Sequence, residues 1–469
     1  MKNKLINLLS VLSFSFVVLM LSELNSIPNA FIIIIFLPII YLLLINIKPI
    51  KQMIDRYLTL KIFIVLAFLK YVVLIYLMVH YKSYDSLGGN STNYLFEALF
   101  FMIYELIAIG LFLIFFNNRK KFNFNTTISL QDKNSKNLLI KLSVIIGLFG
   151  FIFYDEFLSS VIWFSDSSSL LENQNYIKIE GWFMGLIFYF SKFVPTLIFL
   201  LLLANLKQKY PNKIQFKFLI PTLFFSVISI LLVFTENRGI IVSTGITTII
   251  IIHLYYPQFK KRLTLGFMSI ILISVTVSTV FRMLNTTLII EEDTADNLYD
   301  LFLEEATIIT LDAYLSGPSN VSAALKSSTE FKDKISYVTL INDIIINTNI
   351  LNQISYRLFY TNLINDRSSV YLSNIVNGGR IPPLIYSGYV FVGIFFAPFF
   401  SVLAIYFMLI FERNYIISKN IFIRYALLYI AVRFSFSLGL SISVLYALFV
   451  TYFLPFWLIS KVNQKFNIK

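Results

Sequence analysis

Apolar runs close to 20 residues long recur almost from end to end of this chain, separated by polar connections. A helix of about 20 residues rises far enough to cross the hydrocarbon of a bilayer, where every backbone amide and carbonyl must be satisfied within the element itself. The runs lie at about 5–23, 28–46, 62–80, 95–116, 139–158 and 184–206, then at about 218–235, 239–256, 263–283, 384–411, 421–438 and 441–460. The expected fold is therefore all-α, a polytopic integral membrane protein with about 12 transmembrane helices. Composition agrees, because a chain of 469 residues that is 58% hydrophobic and 13% charged has too little polar surface to coat a soluble domain. Lys2 and Lys4 ahead of the first run imitate a secretory leader. The run is too long for a leader's apolar core and Ser-Ile-Pro-Asn (26–29) is a poor cleavage site, so it reads as a span that stays in the membrane. With no cysteine, disulfides, thiolate nucleophiles and thiolate metal sites are excluded.

Lysine and arginine set the orientation. Lys48, Lys51, Arg56 and Lys61 follow span 2, and Arg119, Lys120, Lys121, Lys133, Lys136 and Lys141 follow span 4. Lys207, Lys209, Lys213 and Lys217 follow span 6, Lys260, Lys261 and Arg262 span 8, and Arg413 and Lys419 span 10. Lys461, Lys465 and Lys469 come after span 12, while the odd-numbered connections are polar or acidic, as in 155–182 with Asp155, Glu156, Asp166, Glu172 and Glu180. Both termini are therefore expected in the cytoplasm. The net charge of +13 is then topogenic and excludes a nucleic-acid partner. Three regions follow: 1–283 with spans 1–9, 284–383 as one large extracytoplasmic loop with short helices, and 384–469 with spans 10–12. A connection of about 100 residues is functional or an inserted domain far more often than a linker. It opens acidic at Glu291, Glu292, Asp293 and Asp296, becomes helical in pattern through Leu301–Leu311, turns at GPSN (317–320), and is helical again from 335 to 360. Its last part, TNLINDRSSVYLSNIVNGGRIPP (361–383), is polar and Gly/Pro-punctuated, as a substrate-facing loop would be.

Six arginines fall in outer loops or the outer half of a span: Arg238, Arg282, Arg357, Arg367, Arg380 and Arg433. Arg238 stands in VFTENRGIIVSTG (233–245), a tight outer turn that opens span 8, where free backbone amides already favour an anion. Gly239 allows close approach, and Arg282 ends span 9 on the same side. A guanidinium grips phosphate in a two-pronged contact and keeps its charge in a partly dry site, which suits a lipid-linked diphosphate. The bland alternative is that each arginine snorkels to the lipid headgroups, which fits poorly for Arg433, deep in span 11. Lys192 in the outer half of span 6 is a further phosphate contact or a snorkelling lysine. Lys70 and Glu105 read first as a buried pair between spans 3 and 4 and second as a proton or ion path. His80 and His253 are isolated, and the outer loops hold no Asp-x-Asp pair, so no metal site is expected.

The Arg-Gly turn TENRGIIVSTG (235–245), the single dominant outer loop late in the chain, and IPPLIYSGYVFVGIFFAPF (381–399) together resemble the Wzy-type polysaccharide repeat-unit polymerases of O-antigen and capsule synthesis. The layout is similar over nearly the whole chain; residue-level similarity is confined to those two stretches. O-antigen ligases share the architecture and the Arg-Gly turn but use a histidine in the large loop, and 284–383 contains none. The resemblance implies a glycosyltransferase without cofactor. It would act at the outer face of a bacterial plasma membrane on undecaprenyl-diphosphate-linked oligosaccharides, among membrane lipids, with a chain-length regulator and a flippase as further partners. An acceptor hydroxyl would attack the anomeric carbon of the growing glycan and expel undecaprenyl diphosphate. Arg238 and Arg282 would stabilise that leaving group, with Arg433, Arg380 and Lys192 in support, while Arg357, Tyr360, Arg367 and Tyr371 would cover the sugars or the second diphosphate. Candidate bases are Glu236, Glu304, Glu305, Asp312 and Asp366. A lipid-linked oligosaccharide flippase is the rival from another class; it normally has short loops and pseudo-repeated halves, unlike this chain. An ion-coupled transporter using Lys70 and Glu105 leaves the long loop without a purpose.

Overall fold

The computed structural model describes residues 4–24, 27–83, 94–119, 137–153, 182–210, 216–231, 238–287, 308–309, 311–348, 367–375 and 381–466. Helices and turns make up all of these, with no strand among the described residues. In chain order the elements begin with α1 (Lys4–Ser22), α2 (Phe36–Asn46), α3 (Lys48–Arg56), α4 (Leu58–His80) and α5 (Leu95–Arg119). Next come α6 (Leu138–Phe153), α7 (Trp182–Lys209), α8 (Phe216–Leu231), α9 (Arg238–Tyr255) and α10 (Lys260–Thr287). The large connection supplies α11 (Pro318–Glu330), α12 (Tyr337–Asn347) and α13 (Ser368–Ile375). The chain continues with α14 (Leu384–Val392), α15 (Phe399–Ile417), α16 (Ile421–Ser435), α17 (Ile442–Leu448) and α18 (Leu454–Phe466).

Among the described residues, five helical stretches are long and apolar enough to cross a membrane: Lys4–Ser22, Leu58–His80, Leu95–Asn117, Ile394–Ile417 and Ile442–Asn463. A sixth is added if Phe31–Asn46 and Lys48–Arg56, bent by 74° at their junction, count as one. The fold is thus all-helical and compatible with a multi-pass membrane protein. Of the twelve runs seen in sequence, those over α6 and α8 are helical for 16 residues each among the described residues. The run at 384–411 is not one helix. Gly393 adopts φ +96, a conformation only glycine takes without strain, and it separates α14 from the turn and helix that follow. A side chain at Gly388 would sit 1.9 Å from the carbonyl oxygen of Ala397, so the two halves fold back closely upon each other. IPPLIYSGYVFVGIFFAPF is a helix, a glycine elbow and the start of a second helix.

The chain divides into two compact units, the first of 1–125, 294–412 and 434–451, the second of 126–293, 413–433 and 452–469. In the first, α11 is the central element. Pro318 starts it at a position where a missing amide costs nothing, and Asp312 accepts the amides of Ser319 (3.1 Å) and Asn320 (2.9 Å). Small residues let α11 sit between α5, α13 and α14, with Val321, Ala323 and Ala324 wholly buried. The turn expected at GPSN thus opens one of the short helices of the 284–383 connection, and that helix is buried within the unit. Glu412 caps α4 in the same manner, accepting the amides of Leu58 (2.6 Å) and Thr59 (2.9 Å).

The α4 helix passes through a π-turn at Leu69–Val73, which carries both Lys70 and Tyr71. Lys70 Nζ lies 3.5 Å from Glu105 on α5, and the Tyr71 hydroxyl donates to the same carboxylate at 2.8 Å. Ser401 Oγ donates to its other oxygen at 2.5 Å, and Lys70 also reaches the carbonyl of Leu438 at 3.5 Å. The pair expected between neighbouring spans is present, buried to within 2% on both sides. His80, isolated in sequence, has Nδ1 2.8 Å from Glu23.

In the second unit α7 packs between α6 and α8, α9 lies against α8 and α10, and α18 returns to α6. Phe456 of α18 anchors this packing through Phe193 (5.9 Å between ring centres) and Tyr425 (5.9 Å). Asn420 starts α16 by accepting the amides of Phe422 (2.8 Å) and Ile423 (3.2 Å).

Candidate functional site

Helix α9, described from Arg238 onward, is joined to α10 by the short turn at 256–259, so the two helices run antiparallel. A side chain at Gly245 would meet Ile271, which fixes the register of the two helices. Counting outward from that level places Arg282 one turn beyond Arg238, about 6 Å along the axis at 1.5 Å per residue. Arg433 enters from α16. Its guanidinium is 1% exposed and its Nη1 donates to Ser243 Oγ at 3.3 Å, five residues into α9. Ser243 in turn donates to the carbonyl of Gly239, so the contact reaches back to the opening turn of the helix. The backbone positions of Arg238, Arg282 and the Arg433 contact therefore fall at one end of the second unit, within about 14 Å along its axis. Tyr429 and Tyr425 lie one and two turns back from Arg433 on the same face of α16, their rings stacked at 6.3 Å. No described residue of this unit is Asp or Glu. What this arrangement can do is hold an anion near a helix start, in surroundings where a full charge is weakly screened.

A second arginine, Arg424, is 2% exposed at the other end of α16, and its Nε donates to the Ser418 carbonyl. Sequence reasoning passed over it because it stands among basic residues assigned to topology. Periodicity gave the signal: Arg424 and Arg433 share an apolar helix with no polar face to present.

In the first unit, Arg367 and Tyr371 are brought together by α13. The Arg367 carbonyl accepts the amides of Val370 (3.1 Å) and Tyr371 (3.2 Å), placing Arg367 just ahead of the helix. Asp343 of α12 fixes that start, accepting the Ser368 amide at 3.1 Å, the Ser368 hydroxyl, and the Ser369 hydroxyl at 3.2 Å. Burial raises the pKa of Asp343 above its ordinary value, against those hydrogen bonds and the nearby charge of Arg367. Tyr371 packs on Phe331 (5.1 Å, 32°), and Lys334 lies 5.9 Å over the Phe331 ring. Two aromatic rings beside Arg367 and Lys334 make a patch suited to the face of a sugar. Asp343 and Phe331 were missed in sequence, although an acid inside the apolar pattern INDIII was a visible anomaly.

Asp312, a candidate base, is found at the start of α11. It is wholly buried and both oxygens engage the amides that start α11, so its place is architectural. Lys192 lies within α7, and for it, as for Arg238 and Arg282, only the backbone is described. Glu236, Glu304, Glu305, Asp366, Arg357, Tyr360 and Arg380 lie outside the described residues. Comparison of the chain with protein-family models, with curated proteins and with solved structures found no match.

Proposed function

We propose that this protein is an oligosaccharide repeat-unit polymerase of Wzy type. It takes a growing glycan from undecaprenyl diphosphate and passes it to the sugar of an incoming undecaprenyl-diphosphate-linked repeat unit. Twelve spans with both termini in the cytoplasm would put the Arg-Gly turn and the 284–383 connection at the outer face. The observation that carries the reading is the buried guanidinium of Arg433 against Ser243, just below the helix start that Arg238 opens. As the glycosidic bond breaks, the diphosphate gathers negative charge. Arginines already held in place stabilise it without reorganising, and one such donor contributes on the order of 10²–10³ in rate. Arg238 and Arg282 would contact the diphosphate and Arg433 would hold its inner side. Arg367 and Tyr371, with Phe331, would bear on the sugars, and Arg357, Tyr360, Arg380 and Lys192 complete the set expected from sequence. With Asp312 assigned to α11, the base that accepts the attacking hydroxyl's proton is sought among Glu236, Glu304, Glu305 and Asp366.

The test is in cells lacking the chromosomal copy. Arg238→Ala, Arg282→Ala and Arg433→Ala should each leave single repeat units displayed at the cell surface with long polymer lost. Full-length polymer from the Arg238→Ala and Arg282→Ala cells would overturn the assignment. Lipid-linked units trapped facing the cytoplasm would point to the flippase instead.

A further inference from the structure

The basic connection after the second apolar run is a helix, and its geometry goes beyond topology. The α3 helix turns 74° away from the stretch before it and leads directly into Leu58–His80, long and apolar enough to span. A short helix joining two such stretches at that angle has its axis across them. Its sequence, KPIKQMIDR, separates two faces. Ile50, Met53 and Ile54 are each 1% exposed and pack inward, where α3 meets α5. Lys48, Gln52 and Arg56 recur every fourth residue along the exposed face, with Lys51 half-buried beside them. Gln52 and Arg56 meet Asn117 near the end of α5, at 3.4 and 3.3 Å, which holds the face in place. Asp55 supplies the helix's single acid.

We infer that α3 is a binding surface for anionic phospholipid headgroups, gripped by Lys48, Lys51 and Arg56 at the membrane boundary. The three cations sit where an apolar helix ends and the next begins, the depth at which headgroup phosphates lie. A zwitterionic headgroup offers no net charge to this face, whereas phosphatidylglycerol does. Each cation close to an anionic surface is worth about fivefold in partitioning, and Asp55 offsets part of that. This inference does not rest on the transferase reading.

The experiment uses the full chain reconstituted in vesicles of phosphatidylcholine, with spin-labelled phosphatidylglycerol or spin-labelled phosphatidylcholine as probe. The immobilised lipid fraction is read by electron spin resonance. The native protein should favour the anionic probe, and K48Q/K51Q/R56Q, at about fivefold per cation, should lower that preference by about 100-fold, leaving little of it. K260Q/K261Q/R262Q removes the same charge elsewhere and should leave most of the preference in place. K48R/K51R/R56K keeps the charge and should behave as the native protein. Unchanged preference in the first variant, equal loss in the second, or loss in the third would each overturn the inference.

Discussion

In the first unit the buried acids are Glu105, Asp312, Asp343 and Glu412, and each meets donors from a named neighbour, whereas in the second unit the buried charges are guanidinium groups set against neutral oxygen. The difference is one of chemistry. A carboxylate only accepts, so three of these acids find the spare amides at the start of α11, α13 and α4, where hydrogen bonding and the helix dipole both favour them. Those contacts fix where helices begin and orient the chain. A guanidinium only donates, and a hydroxyl such as Ser243 accepts from it without cancelling its charge. The first unit uses its buried charge to hold a shape. In the second, Arg433 and Arg424 meet a hydroxyl and a carbonyl.

The sharpest way to break that contrast is Glu105→Ala. It strands Lys70 in the interior and should destabilise the protein by about 3–5 kcal/mol, read as a fall in melting temperature in detergent. A small fall would mean that the network around the π-turn is not structural. Next is Arg433→Ala, which should cost on the order of 10²–10³ in polymer synthesis while moving the melting temperature far less than Glu105→Ala. A loss of fold equal to that of Glu105→Ala would erase the distinction between the units. Asp312→Ala and Glu412→Ala follow, each expected to cost about 1–3 kcal/mol of stability through amides left without an acceptor. Proteolysis within 294–330 should quicken in the first of them.

The smallest effect concerns Asp343. Its raised pKa means that the fold prefers the protonated form. The resulting stabilisation is complete below the ordinary carboxylate range and fades as the pH climbs through that range to the raised value. Asp343→Asn keeps the shape without the ionisation and should flatten the dependence of melting temperature on pH there. A slope identical to the native protein's would rule out Asp343 as its source.

Sequence periodicity located the apolar helices within a few residues, because a run of 20 apolar positions allows few other folds. It also read the pairing of Lys70 with Glu105, since two opposite charges inside neighbouring runs have little else to meet. It joined 384–411 into one helix because φ at Gly393 is invisible in an apolar string. It did not mark α11 as interior, because PSNVSAALKSSTE carries no apolar stripe; only the donors to Asp312 and its small residues show that it is buried. At the site, Arg433 was legible as a misplaced charge. Asp343 was not, because its partners Ser368 and Ser369 lie 25 and 26 residues further along.

The π-turn at Leu69–Val73 means that α4 holds one residue more than a regular helix of its path would need. A wheel drawn at about 100° per residue from Leu58 therefore runs one residue out of step beyond it, while the buried stripe continues through Leu74, Ile75, Met78 and Val79. Deleting a single residue there would restore the regular winding and remove the local widening that carries Lys70 and Tyr71. An insertion that looks redundant in the alphabet of the chain is what lets Lys70 and Tyr71 meet Glu105 together.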